Sequence, residues 1–358
     1  MLTSQDHLYL DACLRYALRH RGQTGTNPSV GTLLVKDDVV VGRGLTAKGG
    51  RPHAERIAID MAGPLAKGST AYVSLEPCAH HGATPPCAQA LIDAGIVRVV
   101  TAWTDPDRRV DGKGHELLRG AGVEVAVDQR PNRARQDLLG YLNRKLKNRV
   151  QVTLKLAVSA DGKLGLPGEE ISITGKLARS MVHRLRAEHD AILVGRGTVD
   201  SDDPELTCRL PGLSARSPHR FVLDTNAQMS AASKLAQTAR TVPVSLISKV
   251  KELPVELRDA GVELFASEQH DGRLALPELV EDLAASGLSS LMVEGGAEVA
   301  TSFLKEELVD EIWLFTSSKM IGDAGIVSPI NPENLPDGFV VQRTLNLTED
   351  KLQILQKA

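Results

Sequence analysis

Two α/β domains in tandem are the fold class this 358-residue sequence predicts. Strand-like apolar runs alternate with amphipathic helical runs along almost the whole chain, the pattern of sheets covered by helices. The length favours two domains, each large enough to bury its own core. A basic, polar stretch over residues 128–149 (DQRPNRARQDLLGYLNRKLKNR) interrupts the alternation, and VTLKLAVSADG restarts it. The expected domains are therefore residues 1–146 and 147–358.

In the first domain, Leu8, Leu10, Cys13, Leu14, Ala17 and Leu18 form a helical stripe over residues 6–21 that ends in basic residues before Gly22. TLLVKDD and VVVGRG read as the two strands of a hairpin turning at Lys36-Asp37-Asp38. The helix HAERIAIDMAG, the strand TAYVSL, the helix CAQALIDAG, the strand VRVVTAW and the helix GHELLRGAG follow. The basic stretch holds one helical segment and reads as a solvated helix face, since no aromatic platform accompanies its charge for RNA. In the second domain AILVG, HRFVLD, VPVSLIS, SSLMVEGG and EIWLFTSS alternate with ARSMVHRLRAEH, LPELVEDLAASG and AEVATSFLKEEL. That pattern argues for a mostly parallel sheet covered on both faces. VVQRTLNL and KLQILQ are expected as an edge hairpin.

Composition narrows the function classes. A content of 42% hydrophobic and 24% charged residues is ordinary for a globular protein. The net charge of -3 makes no global case for nucleic acid, yet leaves room for a local basic pocket that takes a phosphate. No apolar run approaches the roughly 18 residues of a membrane helix. MLTSQDHLYL shows no basic segment followed by an apolar one, so a cytoplasmic location is expected. Of the four cysteines, Cys13 sits on the apolar stripe of its helix and Cys208 in a loop-like LTCRL, so a disulfide scaffold is not expected.

Chemistry concentrates at His53-Ala54-Glu55, Cys78 and Cys87. One imidazole and two thiolates suit zinc, and three ligands leave the fourth position open, as a catalytic site requires. Glu55, two residues past the histidine, is placed to move protons rather than to bind metal. Cys78 falls where TAYVSL gives way to a loop after Glu76-Pro77, while Cys87 follows Pro85-Pro86 in the first turn of its helix. His53 likewise follows Pro52 at a helix start, and the positive end of a helix favours a thiolate at Cys87. His80 or His81 as a fourth ligand would make the zinc purely structural, which leaves Glu55 unexplained. In the second domain Gly295-Gly296 lies between a strand and a helix, where free N–H groups can meet a pyrophosphate. Gly195-Arg196-Gly197 also follows a strand, but Asp202-Asp203-Pro204 are expected before any helix can form. Neither is the Gly-x-Gly-x-x-Gly fingerprint, and tight turns or close packing account for the glycines as well.

The ligand set matches the zinc-deaminase signature with a longer interval between the cysteines. PCAHHGATPPC, Asn27-Pro28-Ser29-Val30-Gly31 and Gly112-Lys113-Gly114 resemble the deaminase half of the bifunctional riboflavin-biosynthesis deaminase/reductase family. KLAVSADG from Lys155, DAILVG from Asp190, Thr198, Asp202-Asp203-Pro204, Leu206-Thr207, Arg209 and Val293-Glu294-Gly295-Gly296 resemble its reductase half. The resemblance implies a three-layer, cytidine-deaminase-like α/β/α domain followed by a dihydrofolate-reductase-like α/β domain. It implies zinc-dependent hydrolytic deamination of a diaminopyrimidine ribosyl phosphate, then NADPH-dependent reduction of the ribosyl group to a ribityl chain. It places Asn27, Arg186, Leu206, Arg209 and Glu294 at substrate, and Val158, Thr198, Asp202, Thr225 and the segment beginning at Gly296 at the cofactor. Guanidinium groups suit a phosphate.

Thr46 stands where many members have histidine, Ala83 where a basic residue is common, and Glu170-Ile171-Ser172 where a Ser-x-Trp pattern is usual. These departures bear on phosphate contacts in the first site and on cofactor stacking in the second. The implied partner is a small pyrimidine ribosyl phosphate, with no nucleic acid and no membrane, in a chain compatible with a homo-oligomer. One rival is a nucleoside or RNA-base zinc deaminase with an unrelated C-terminal half, which salt-sensitive retention on RNA would reveal. The other is a zinc-stabilised binding protein, whose metal would offer no solvent-exchangeable position.

Overall fold

The computed structural model describes residues 2–80, 85–130, 137–168, 171–270 and 272–357. The chain divides into two compact units, Met1–Asn148 and Arg149–Ala358.

The first unit is built on a five-stranded sheet. β1 (Gly31–Lys36) and β2 (Val39–Leu45) form the expected hairpin. Asp37 and Asp38 turn it at φ 49° and 60°, the left-handed pair a two-residue turn between twisted strands requires. β3 (Thr70–Val73) pairs antiparallel with β1 and parallel with β4 (Arg98–Thr101). β5 (Glu124–Val127), a short edge strand absent from the expectations above, runs parallel beside β4. Strand alternation gives the sheet two apolar faces. Leu33, Val35, Tyr72 and Val100 pack with Leu10, Cys13 and Leu14 of α1 (Ser4–Ala17). Leu34, Ala71, Val73 and Val99 share the opposite core with α2 (Ala54–Ala62), α3 (Cys87–Asp93) and α4 (Lys113–Gly120). The result is the expected three layers. Gly44 sets how closely α2 approaches the hairpin, because a Cβ there would lie 1.8 Å from the Ala54 carbonyl oxygen.

The basic stretch departs from its expectation. Its helix, α5 (Leu139–Leu146), is not a solvated face: Leu138, Tyr141 and Leu142 are buried in the core that holds α2 and α3. Apolar residues three and four apart make one face of this short helix greasy, whatever its net charge. Residues 131–136 lie outside the described residues.

The second unit runs β6 (Gln151–Val158), α6 (Lys176–Ala187), β7 (Ala191–Gly195), α7 (Arg196–Asp202), β8 (His219–Leu223), α8 (Lys234–Gln237), β9 (Val244–Ser248), α9 (Val255–Ala260), β10 (Glu263–Ala266). A small hairpin, β11 (Gln269–His270) and β12 (Arg273–Leu274), precedes α10 (Leu276–Ala285), β13 (Ser290–Val293), α11 (Ala297–Lys305), β14 (Glu311–Thr316), β15 (Phe339–Leu347) and β16 (Asp350–Lys357). Nine strands form one sheet in the order β10-β9-β8-β7-β13-β6-β14-β16-β15. Pairing is parallel from β10 through β14, and the C-terminal hairpin closes the edge antiparallel, as expected. Leu193, Leu291 and Val293 face one core with α10 and α11, while Ile192, Val194 and Met292 face the other with α6. Both faces are thus covered.

The expectation that no helix could form after Gly195 is wrong. α7 occupies the interval before Pro204, and Asp203 ends it at φ 39°. Proline restricts only the residue before it, which leaves two helical turns free. All four cysteines are free thiols. Among the described residues no helix is long and apolar enough to cross a membrane.

Candidate active sites

Local sequence delivers the zinc ligands to one point. His53 is the N-cap of α2 in extended conformation, and Glu55 lies in the first turn behind it. Cys78 sits just past β3 and Cys87 is the first residue of α3. His53 Nδ1 is 3.3 Å from Cys87 Sγ and 3.7 Å from Cys78 Sγ. Around a tetrahedral zinc with Zn–S of about 2.3 Å and Zn–N of about 2.0 Å, the N···S edge measures about 3.5 Å. The donor set therefore fits zinc. Among the described residues no fourth histidine, cysteine or carboxylate joins this cluster. His80 stands outside it, and His81 lies outside the described residues, as does Ala83.

Electrostatics follow from burial. Glu55 is 4% exposed. Burial, then the neighbouring Cys78 sulfur, push its carboxyl up to about 7, against the opposing pull of His53. A carboxyl balanced near neutrality can both take and return a proton. The hydrogen bond from Cys87 brings the Cys78 thiol down to about 4 despite burial, and the same bond drives Cys87 up. The helix end also serves Cys78: the Cys87 backbone N–H, at the start of α3, donates to Cys78 Sγ at 3.3 Å.

Glu76, which the sequence marks only as the end of a strand, has a structural role. It is buried, and its carboxylate accepts the backbone N–H groups of Asp105 (3.1 Å), Gly112 (3.0 Å), Gly114 (2.8 Å) and His115 (3.2 Å). This ties the loop before α4 to the segment carrying Cys78. It also explains Gly112-Lys113-Gly114, because a Cβ on Gly114 would lie 2.0 Å from the Pro77 carbonyl oxygen. Asn27 sits in a turn in which Thr24 Oγ1 donates to its carbonyl at 2.7 Å. Its amide lies against Gly50, three residues before His53. Thr46 is buried and its hydroxyl accepts the Val30 N–H at 2.9 Å, so this departure supports the loop.

The second unit holds a cavity of about 1660 Å³. Thr198, Asp202, Thr225 and Gly296 line it, together with Arg186, Leu206, Arg209 and Glu294. Val158 does not. It is fully buried in the core, and strand alternation gives the cavity its neighbour Ala157. The helices α7 and α11 begin here: Thr198 Oγ1 is 3.6 Å from where a Gly296 Cβ would stand. Gly295 and Gly195 are glycines for packing, since a Cβ on either would come within 3 Å of Val299, at 2.5 and 2.8 Å. Ser172 lines the cavity and Glu170 lies outside the described residues.

Arg186 is not a free phosphate fork. Its Nε and Nη2 donate to the two Glu294 oxygens at 2.7 and 3.0 Å, and its Nη1 donates to the Thr207 carbonyl at 3.1 Å. Burial alone would raise the Glu294 carboxyl, but Arg186 and Lys155 outweigh it and bring it down to about 2. Lys155, the first residue of the KLAVSADG motif but given no role from the sequence, lines the cavity 3.7 Å from Glu294, and burial lowers its pKa. Arg209, on the surface side, pairs with the exposed Glu205 at 3.0 Å.

One unit equipped for metal-assisted hydrolysis and another with a cofactor-sized cavity place the chain in the class of two-domain enzymes joining a zinc deaminase to a reductase. Residues 3–103 match the cytidine and deoxycytidylate deaminase zinc-binding region, and residues 150–356 match the RibD C-terminal domain. Riboflavin biosynthesis protein RibD of Aquifex aeolicus is 37% identical over 98% of each chain, and that of Escherichia coli 38% identical over 89% of each. The structure of Acinetobacter baumannii RibD matches with a TM-score of 0.87 at 32% identity, covering 99% of both chains. A Thermotoga maritima diaminohydroxyphosphoribosylaminopyrimidine deaminase/5-amino-6-(5-phosphoribosylamino)uracil reductase matches with a TM-score of 0.86 at 30% identity, over 99% of this chain and 100% of that one. This chain belongs to the RibD family, the bifunctional deaminase/reductases of riboflavin biosynthesis. Its deaminase domain uses zinc and its reductase domain, of the dihydrofolate-reductase-like fold, uses NADPH.

Proposed function

We propose that residues 1–146 carry the deamination through Glu55, with zinc held by His53, Cys78 and Cys87. Zinc, when bound, supplies the Lewis acidity that makes water a nucleophile near neutral pH. Glu55 would take one proton from that water and deliver it to the ring nitrogen as oxygen bonds to the ring carbon, then carry the second, from the hydroxyl so formed, to the amine, which leaves as ammonia as the C–N bond breaks and the carbonyl forms. Asn27, beside the segment leading to His53, orients the pyrimidine.

Residues 147–358 carry the reduction. NADPH, when bound, supplies the hydride. Thr198, Asp202, Thr225 and Gly296 would hold the cofactor, and the N–H groups at the starts of α7 and α11 suit phosphate oxygens; Val158, buried in the core, would support that wall from behind. Arg209 holds the substrate phosphate, Leu206 packs beside it, and Arg186 orients Glu294. Lys155, with its lowered proton affinity, donates to the ribose ring oxygen as the ring opens.

A cytoplasmic enzyme whose partners are small molecules and not nucleic acid is supported by the free thiols and the net charge of -3. The convergence of three zinc donors on a buried carboxylate carries the reading. The test supplies the diaminopyrimidine ribosyl phosphate with NADPH and follows ammonia release and loss of reduced-cofactor absorbance separately. Both signals are expected, with ammonia release alone when NADPH is withheld. Cofactor oxidation without ammonia release would contradict the order of the two steps.

A further inference from the structure

Arg220 is fully buried at the start of β8, and among the described residues no carboxylate is in ion-pair contact with it, although the Glu205 charge acts on it from farther off. Its Nη1 donates to the Glu205 carbonyl at 3.1 Å and to Thr238 Oγ1 at 2.8 Å. Its Nη2 donates to the carbonyls of Thr238 and Val242. Among the described residues its Nε meets no hydrogen-bond acceptor. Burying a guanidinium without a counter-ion is costly, and a well-packed apolar side chain would fill the core at lower cost. What an apolar residue could not do is tie the turn at Thr238–Val242 to a second, distant stretch of backbone at Glu205.

One of those stretches is Asp203–Arg209 on the wall of the reductase cavity. Its backbone is strained: Asp203 and Leu206 take φ of 39° and 54°, values that side chains with a Cβ rarely adopt. Glu205 lies between them. Its carbonyl is held inward by Arg220, while its carboxylate faces Arg209 at 3.0 Å and accepts from Thr207 Oγ1 at 3.3 Å. We propose that Arg220 is a positioning residue for the reduction: by fixing the Glu205 carbonyl it holds the strained segment in the shape that aims Leu206 and Arg209 into the cavity.

This inference rests on reading Asp203–Arg209 as the substrate segment, so the test carries a control for that reading. Arg220→Met and Arg209→Ala are made in the full chain, and KM and kcat for the deaminated pyrimidine, KM for NADPH, deamination rate and melting temperature are measured. Arg220→Met is expected to raise the pyrimidine KM roughly tenfold or more, because small misplacements of binding groups are expensive. Deamination should stay at the wild-type rate, and Arg220→Lys should recover part of the loss in KM. A purely structural role would lower the melting temperature and leave KM unchanged at temperatures where the variant is folded, which would overturn the proposal. So would failure of both Arg220 variants to fold, since the residue would then be a folding determinant. If Arg209→Ala leaves the pyrimidine KM unchanged, the reading of the segment fails; if Arg209→Ala raises it and Arg220→Met does not, only the positioning role fails.

Discussion

At the scale of single residues, the zinc cluster depends on sulfur. Replacing Cys87 by serine exchanges a thiolate for a hydroxyl, a poor zinc donor, and is expected to weaken zinc binding in metal analysis after competition with a chelator. Unchanged affinity at full occupancy would remove Cys87 from the ligand set. Away from the site, Asp6 ties α1 to β4 through Arg98, with Nη1 at 2.6 Å from Oδ1 and Nη2 at 3.1 Å from Oδ2. Burial raises the Asp6 carboxyl, but hydrogen bonds from Arg98, Thr3 and Tyr72 outweigh it and hold it well below its ordinary 3.8. A group more acidic folded than unfolded stabilises the protein above the unfolded value, and that contribution is lost as pH falls through the folded one. Asp6→Asn should therefore cost about 2 kcal/mol at neutral pH, between the values for exposed and buried pairs. In chemical denaturation the gap to wild type should narrow on acidification below pH 3.8; a gap that widens would contradict the assignment. The ligands and Glu55 were legible because residue type and neighbouring prolines announce them. Glu76 was not, since its four partners lie 29 to 39 residues downstream and only folding brings them round it.

At the scale of elements, the distance between α2 and the β1–β2 hairpin governs the metal site, because α2 carries His53 at its cap and Glu55 in its first turn. A methyl on Gly44 would stand 1.8 Å from the Ala54 oxygen and 2.7 Å from the Ala58 nitrogen. Gly44→Ala is expected to destabilise the first unit by about 1–3 kcal/mol, as overpacking does, and to loosen zinc as the helix is pushed outward. Thermal melting with and without chelator measures both effects; a variant with wild-type melting in each condition would show that the contact yields easily. Long periodic segments such as α1, α6 and α10 were readable from spacing alone. The misses are short or context-bound. β5 has four residues at a sheet edge, α7 fits in the interval before a proline, and the apolar side of α5 was obscured by its lysines and arginines.

At the scale of the molecule, two compact units carry two chemistries, and the proposed donors and proton carriers of each fall entirely within one unit. Sequence supplied the alternation of strands and helices and, through the family resemblance, eight residues of the cavity wall, but not the pairing of Arg186 with Glu294 or the burial of Val158 in the core, which depend on strand facing and tertiary pairing. The central claim is that Glu55 serves one activity only. Glu55→Gln keeps size and metal while removing the proton carrier, and general acid–base catalysis is commonly worth about 100-fold to 10,000-fold. The decisive measurement is made on folded, zinc-replete Glu55→Gln protein, with ammonia release from the diaminopyrimidine substrate and NADPH oxidation with supplied deaminated intermediate recorded side by side. Deamination is expected to fall by that range while reduction stays near wild type; deamination at the wild-type rate, or loss of both activities together, would contradict the account.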